Sequence, residues 1–266
     1  MKSMISKLGS LARLAPIVGA FVAAPFLAQA QTGETSKPNT PISYGSKEYR
    51  WDRMTAELPL VLALDRDAAR GKEAFRACKG CHKDGGIGLI DGTYPRLTGQ
   101  HPQVILKQAT DTRAGIRVNP KMEPFAADHA VSQQELADIA EYLSKGTTAK
   151  ENGRGAGDKA ELDRAKKLYN DRDCATCHGD MGEGDGGKFY PAVAGQHYGY
   201  LQRELEQIQN GQRGNSHPDM IKRLKGLSAK DLEALSDYMS RMPPVWVRKA
   251  EVAAAASAPA AAKKSK

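Results

Sequence analysis

Residues 78–82 read Cys-Lys-Gly-Cys-His and residues 174–178 read Cys-Ala-Thr-Cys-His, and the two stretches contain all four cysteines of the 266-residue chain. Two thiols at i and i+3 share one side of a helical turn, and a histidine follows directly. This is the attachment pattern of a c-type haem, in which the thiols bond the two vinyl groups of one porphyrin and the imidazole reaches the iron. Zinc sites and thioredoxin-like redox sites also use Cys-x-x-Cys. Two copies, each with its histidine and together consuming every cysteine, argue against both. The expected cofactors are two covalent haem c groups, carried by Cys78 and Cys81 and by Cys174 and Cys177, with His82 and His178 on the irons.

Outward from these motifs the chain repeats itself at one offset of 96 residues. Tyr94-Pro95 falls on Tyr190-Pro191, Gly99-Gln100-His101 on Gly195-Gln196-His197, Arg117 on Arg213, Leu136 on Leu232 and Tyr142 on Tyr238. A register held over that span means two tandem copies of one domain. Both copies read as helical. Asp65 or Asp67 can cap a helix running into Cys78, and Asp158 one running towards Cys174. His101–Ala114 and Gln196–Asn210 carry apolar residues at helical spacing. Ser132-x-x-Glu135 and Ser228-x-x-Asp231 are capping-box patterns at the head of each last helix. No segment between them alternates as a strand does. A domain of about 80–90 residues is marginal on its own core, and a chain with only 16 aromatic residues gains apolar volume from a porphyrin.

The N-terminus sets the compartment. Lys2, Lys7 and Arg13 lead into an apolar stretch broken by Pro16, Gly19 and Pro25, and Ala28-Gln29-Ala30 has the small-x-small cleavage pattern of a secretory signal. No later apolar run approaches the ~18–20 residues of a membrane span. Removing residues 1–30 lowers the formal charge from +8 to +5, too mild a balance to argue for nucleic acid. The expected organisation is a cleaved signal peptide at 1–30 and an N-terminal extension at 31–64, polar at first and apolar around Leu58–Leu62, where it packs on the first domain. A first haem domain at 65–147, a Gly-rich linker at 148–157, a second haem domain at 158–248 and an Ala/Lys-rich tail at 249–266 follow. The localisation is periplasmic, with at most peripheral membrane contact through the basic tail.

A haem that only moves electrons is normally six-coordinate, and methionine opposite histidine raises its potential. Met122, 44 residues past Cys78 in a proline-stiffened loop, is the one methionine after the first motif in its copy. Of Met181, Met220, Met239 and Met242 in the second copy, Met181 is too near His178 and Met239 falls on the apolar face of the last helix. Met220, 46 residues past Cys174, is the expected ligand, in a loop after Asn215-Ser216-His217-Pro218. His129 and His217 offer a bis-histidine alternative. His101 and His197 suit helix capping or an interdomain role. Tyr94 and Tyr190 are expected to line the haem pockets, with the carbonyls of Pro95 and Pro191 accepting from the Nδ1–H of the proximal histidines.

The two Cys-x-x-Cys-His units, Tyr-Pro-x-Leu-x-Gly-Gln-His at 94–101, Tyr-Pro-x-Val-x-Gly-Gln-His at 190–197 and the paired downstream methionines resemble the cytochrome c4 family over roughly residues 65–245. The resemblance implies an all-α fold of two class I cytochrome c domains related by a pseudo-twofold axis, each iron held by His and Met. It implies a periplasmic carrier working between a dehydrogenase or cytochrome bc1-type donor and a terminal oxidase. The cytochrome subunit of a flavocytochrome-like dehydrogenase is a neighbouring alternative. A dihaem thiosulfate dehydrogenase or peroxidase would need an open or cysteine-ligated iron, and no cysteine is left over. The chain departs from the family in its long leader, its tail and Cys-His-Lys-Asp in the first copy, where Cys-His-Gly is usual.

Overall fold

The computed structural model describes residues 55–147 and 152–244. The expected signal peptide at 1–30, most of the expected extension, the first part of the linker and the expected tail at 249–266 lie outside the described residues. Eleven α-helices and three short 3-10 turns make up the regular structure of the described residues, with one isolated bridge between Asp185 and Tyr190 and no strand among them. The first copy contains α2 (Ala68–Ala74), α3 (Lys79–His82), α4 (Pro102–Arg113), α5 (Glu123–Ala126) and α6 (Gln133–Ser144), preceded by α1 (Leu58–Ala63) from the extension. The second contains α7 (Lys159–Asp171), α8 (Ala175–His178), α9 (Tyr198–Gln209), α10 (Pro218–Leu224) and α11 (Ala229–Arg241).

Local chemistry starts these helices where the pattern predicts. Asp67 accepts from Arg70 N at 2.8 Å at the head of α2, whereas Asp65 does not cap and instead offers its carbonyl to Gln134. Asp158, Ser132 and Ser228 each close a reciprocal capping box, with Glu161, Glu135 and Asp231 respectively, and such a cap stabilises a helix by about 1 kcal/mol. The helix starting at His101 spans Pro102–Arg113, with His101 as an N-cap whose side chain takes no part in capping.

Within each domain the first and last helices cross. Gly71 is the closest approach of α2 to α6: a Cβ there would lie 1.9 Å from the carbonyl oxygen of Asp138. Four residues on, Phe75 is buried and meets Tyr142 at 5.7 Å between ring centroids; in the second domain Tyr169 is buried and meets Tyr238 at the same 5.7 Å. These matched pairs show that the approach to the haem motif is two residues longer in the second copy, a shift the single register hides. The extension packs as expected, with Leu58 and Val61 fully buried against Leu106, Leu136 and Ala140. Residues 152–157 of the linker are clasped by the second domain: Asp237 accepts from Gly155 N and Gly157 N at 2.8 and 2.9 Å.

Each motif helix ends on a backbone conformation that an ordinary side chain resists. Gly179 sits at φ 79, ψ 160 and its counterpart Lys83 at φ 62, ψ 168, a region populated almost only by glycine at a cost of about 1–3 kcal/mol to other residues. Lys83→Gly relieves that strain and loses about 0.4–1 kcal/mol through the freer unfolded chain. A net gain of roughly 1 kcal/mol in denaturant unfolding of the holoprotein is expected, with no gain for Lys79→Gly.

Candidate haem sites

The two Cys-x-x-Cys-His turns present the same donor set twice. His82 and His178 are buried, and their Nδ1 atoms lie 3.4 Å from Pro95 O and 2.9 Å from Pro191 O. An imidazole that donates from Nδ1 to a carbonyl keeps Nε2 as its lone-pair nitrogen, the form a metal takes. Burial lowers both histidine pKa values and so favours the neutral ring, the proline carbonyls opposing this in part. None of the four cysteines is paired in a disulfide. Burial pushes the Cys78 thiol up and that of Cys174 to about 11, the reverse of the depressed thiol of a Cys-x-x-Cys oxidoreductase. The thiols and the imidazole of each motif share a single helical turn, and the residues present fit a covalently held haem.

Tyr94 packs edge-on against His82 at 6.0 Å, and Tyr190 packs edge-on against His217 at 6.1 Å. Met122 is half-buried and forms the N-cap of α5. Met220 is half-buried against the second core, but on the helical turn α10 and not in the loop expected from the sequence, because His217 caps that turn: its Nδ1 accepts from Asp219 N at 3.0 Å. Met181 is exposed, while Met239 and Met242 are buried in the second core. His129 is exposed.

A reciprocal set of hydrogen bonds joins the two domains. Gln100 donates to Ala192 O and accepts from Ala192 N, both at 2.9 Å; Gln196 donates to Arg96 O and accepts from Arg96 N, both at 2.8 Å. His101 Nε2 donates to Glu183 O at 2.8 Å and His197 Nε2 to Ile87 O at 2.7 Å. In every case both partners of one bond map onto the partners of the other by the repeat offset, which is the signature of a pseudo-twofold axis. The interdomain role is thus the one the two histidines take. The part of the glutamines was not visible in the sequence, although their place in both Gly-Gln-His triplets marked them as a repeated feature.

The residues matched by the cytochrome c family model are 68–147 and 162–243. The chain belongs to the cytochrome c family. Cytochrome c4 of Azotobacter vinelandii is 31% identical over 189 residues, covering 65% of this chain and 88% of the relative. A thiosulfate dehydrogenase electron acceptor of Stutzerimonas stutzeri (strain A1501) is 30% identical over 200 residues, covering 69% and 91%. The crystal structure of reduced cytochrome c4 from Pseudomonas stutzeri superposes with a TM-score of 0.58 at 30% identity, covering 67% of this chain and all of that one. The chain is a dihaem, cytochrome c4-like electron carrier of two cytochrome c domains, with two covalent haem c groups. No helix among the described residues is long and apolar enough to cross a membrane.

Among the positions at which the two copies differ, the counterpart of Gln108 is the buried Glu204. Arg213 donates to Gln108 Oε1 at 3.0 Å, and Glu204 lies 3.1 Å from Arg213 and 3.4 Å from Arg117 of the other domain. Burial alone would raise the Glu204 pKa, but Arg213 and then Arg117 outweigh it and hold the carboxyl below its ordinary 4.5. Its contribution to stability is therefore present above that value and is lost as the pH falls through the depressed one. Urea unfolding of the wild type should weaken across this acid window, and Glu204→Gln should flatten that segment of the pH profile.

Proposed function

We propose that the chain is a periplasmic carrier that takes single electrons from a dehydrogenase or cytochrome bc1-type donor and passes them to a terminal oxidase, with His82 and Met122 on one iron and His178 and Met220 on the other. The observation that carries this reading is that each domain offers a complete donor set. Both histidines use Nδ1 on a proline carbonyl, all four thiols sit in attachment turns, and one half-buried methionine per domain lies downstream. The haems supply the one-electron iron couple. The protein's part is to hold the axial side chains rigidly, keep water from the rings and fix one domain against the other, which keeps reorganisation small and sets the potential.

The glutamine bridges and the His101 and His197 bonds keep the two centres in a constant relation during partner docking. The basic excess favours brief, salt-sensitive encounters. A dehydrogenase-linked role is a second reading, favoured by the likeness to the Stutzerimonas thiosulfate dehydrogenase electron acceptor. In it the donor is a partner enzyme, and the chain itself turns over no substrate.

Met122→Ala and Met220→Ala should each remove about half of the weak long-wavelength Met–Fe(III) absorption and open one iron to carbon monoxide, whereas Met181→Ala should leave the band intact. Loss of the band in Met181→Ala would move the ligand of the second domain. The reduced holoprotein should be oxidised by bacterial membranes containing a terminal oxidase, more slowly as salt rises. Saturable turnover of thiosulfate or peroxide by the purified protein would replace the carrier reading with an enzymatic one.

A further inference from the structure

The family match begins at residue 68, so α1 lies upstream of the shared fold, yet it reaches the loop that carries Met122. Arg113, the last residue of α4, spreads its guanidinium over that loop. Its Nε donates to Ala126 O at 2.6 Å and its Nη2 to Val131 O at 2.8 Å. Its Nη1 meets the carboxylate of Glu57, immediately before α1, and Asp128 at 3.0 Å. The Ala126 amide in turn donates to Met122 O at 3.0 Å, so the chain of contacts runs from Glu57 through Arg113 to the backbone of Met122.

We propose that Arg113 is a positioning residue for Met122 and that Glu57 makes the N-terminal extension a working part of the first haem centre, an inference that rests on the assignment of Met122 as a ligand. The repeat supplies an independent observation. The position 96 residues on is Gln209, whose Nε2 donates to Leu224 O at 2.8 Å and Leu227 O at 2.9 Å, just beyond Met220 in α10. Both domains therefore use the same place on the same helix to hold down the segment after the methionine.

The two devices differ in charge. Gln209 is neutral and needs no counter-ion. The Arg113 side chain is 9% exposed and carries a charge that burial makes costly unless it is paired. Asp128, at 83%, is screened by solvent, so Glu57, at 17%, is the partner that counts. Leu58 and Val61 lock Glu57 in place through the core, and Phe189 of the second domain packs on the same cluster. The helix is thus tied to the centre by charge and to both domains by packing.

Imidazole titration of the ferric holoprotein, followed by loss of the Met–Fe(III) band and paired with a redox titration, tests this. Glu57→Gln and Arg113→Ala should each raise the imidazole affinity of one haem at least about tenfold, as expected for the loss of a charged hydrogen bond, and lower the potential of that haem alone. Gln209→Ala should do the same to the other haem, and Arg113→Gln combined with Glu57→Gln should recover part of the loss by copying the neutral arrangement. Leu60→Ala, on the exposed face of the same helix, should change neither haem. Unchanged imidazole affinity in Glu57→Gln and Arg113→Ala, or equal changes at both haems, overturns the inference while leaving the ligand assignment intact. A band that survives Met122→Ala overturns the assignment and the inference with it.

Discussion

Two thiols and an imidazole on one helical turn fix a porphyrin to the backbone at three points, and every other element of each domain is placed by that constraint. The turn ends at Lys83 in one domain and Gly179 in the other, both with positive φ. This sends the chain back so that the carbonyl of Pro95 or Pro191 comes to the histidine. The first and last helices then cross, in the first domain tightly enough at Gly71 that no side chain fits. A domain this small has little core of its own, and a covalently held haem adds to it.

The second constraint is the pairing of the two domains. Side-chain amides that grip backbone N–H and C=O together act like an extra strand register: they allow one alignment and no sliding. Each such bond is worth only about 1 kcal/mol net, but the set is reciprocal and partly buried, so the domains hold a single relation. Around this symmetric frame the asymmetries are few. Glu204 replaces Gln108 beneath two arginines from different domains, and Arg113 replaces Gln209 above a methionine segment. Each introduces a buried charge on one side only, and each charge has a partner within reach. Buried charges shift the energy of nearby redox states through a low local dielectric, and the buried Lys107–Asp111 pair of the first domain, whose counterparts are Arg203 and Gln207, is a third asymmetry of this kind.

The sequence alone determined the chemistry and the domain count. Cys-x-x-Cys-His needs only local geometry, since residues three apart on a helix face the same way whatever surrounds them, and a repeat in one register needs no structure to be seen. The capping boxes at Ser132 and Ser228 and the cap at Asp158 were legible for the same reason, being contacts across three residues. Tertiary structure alone decided what joins distant segments: Gln100 with Ala192, His197 with Ile87, Glu57 with Arg113. It also decided that Met220 stands on a helical turn capped by His217, and that the approach to the second motif is two residues longer. Such contacts depend on which surfaces the packed helices bring together. No local pattern of residues encodes that, because the same glutamine or arginine would satisfy its hydrogen bonds in water if the fold did not present a partner.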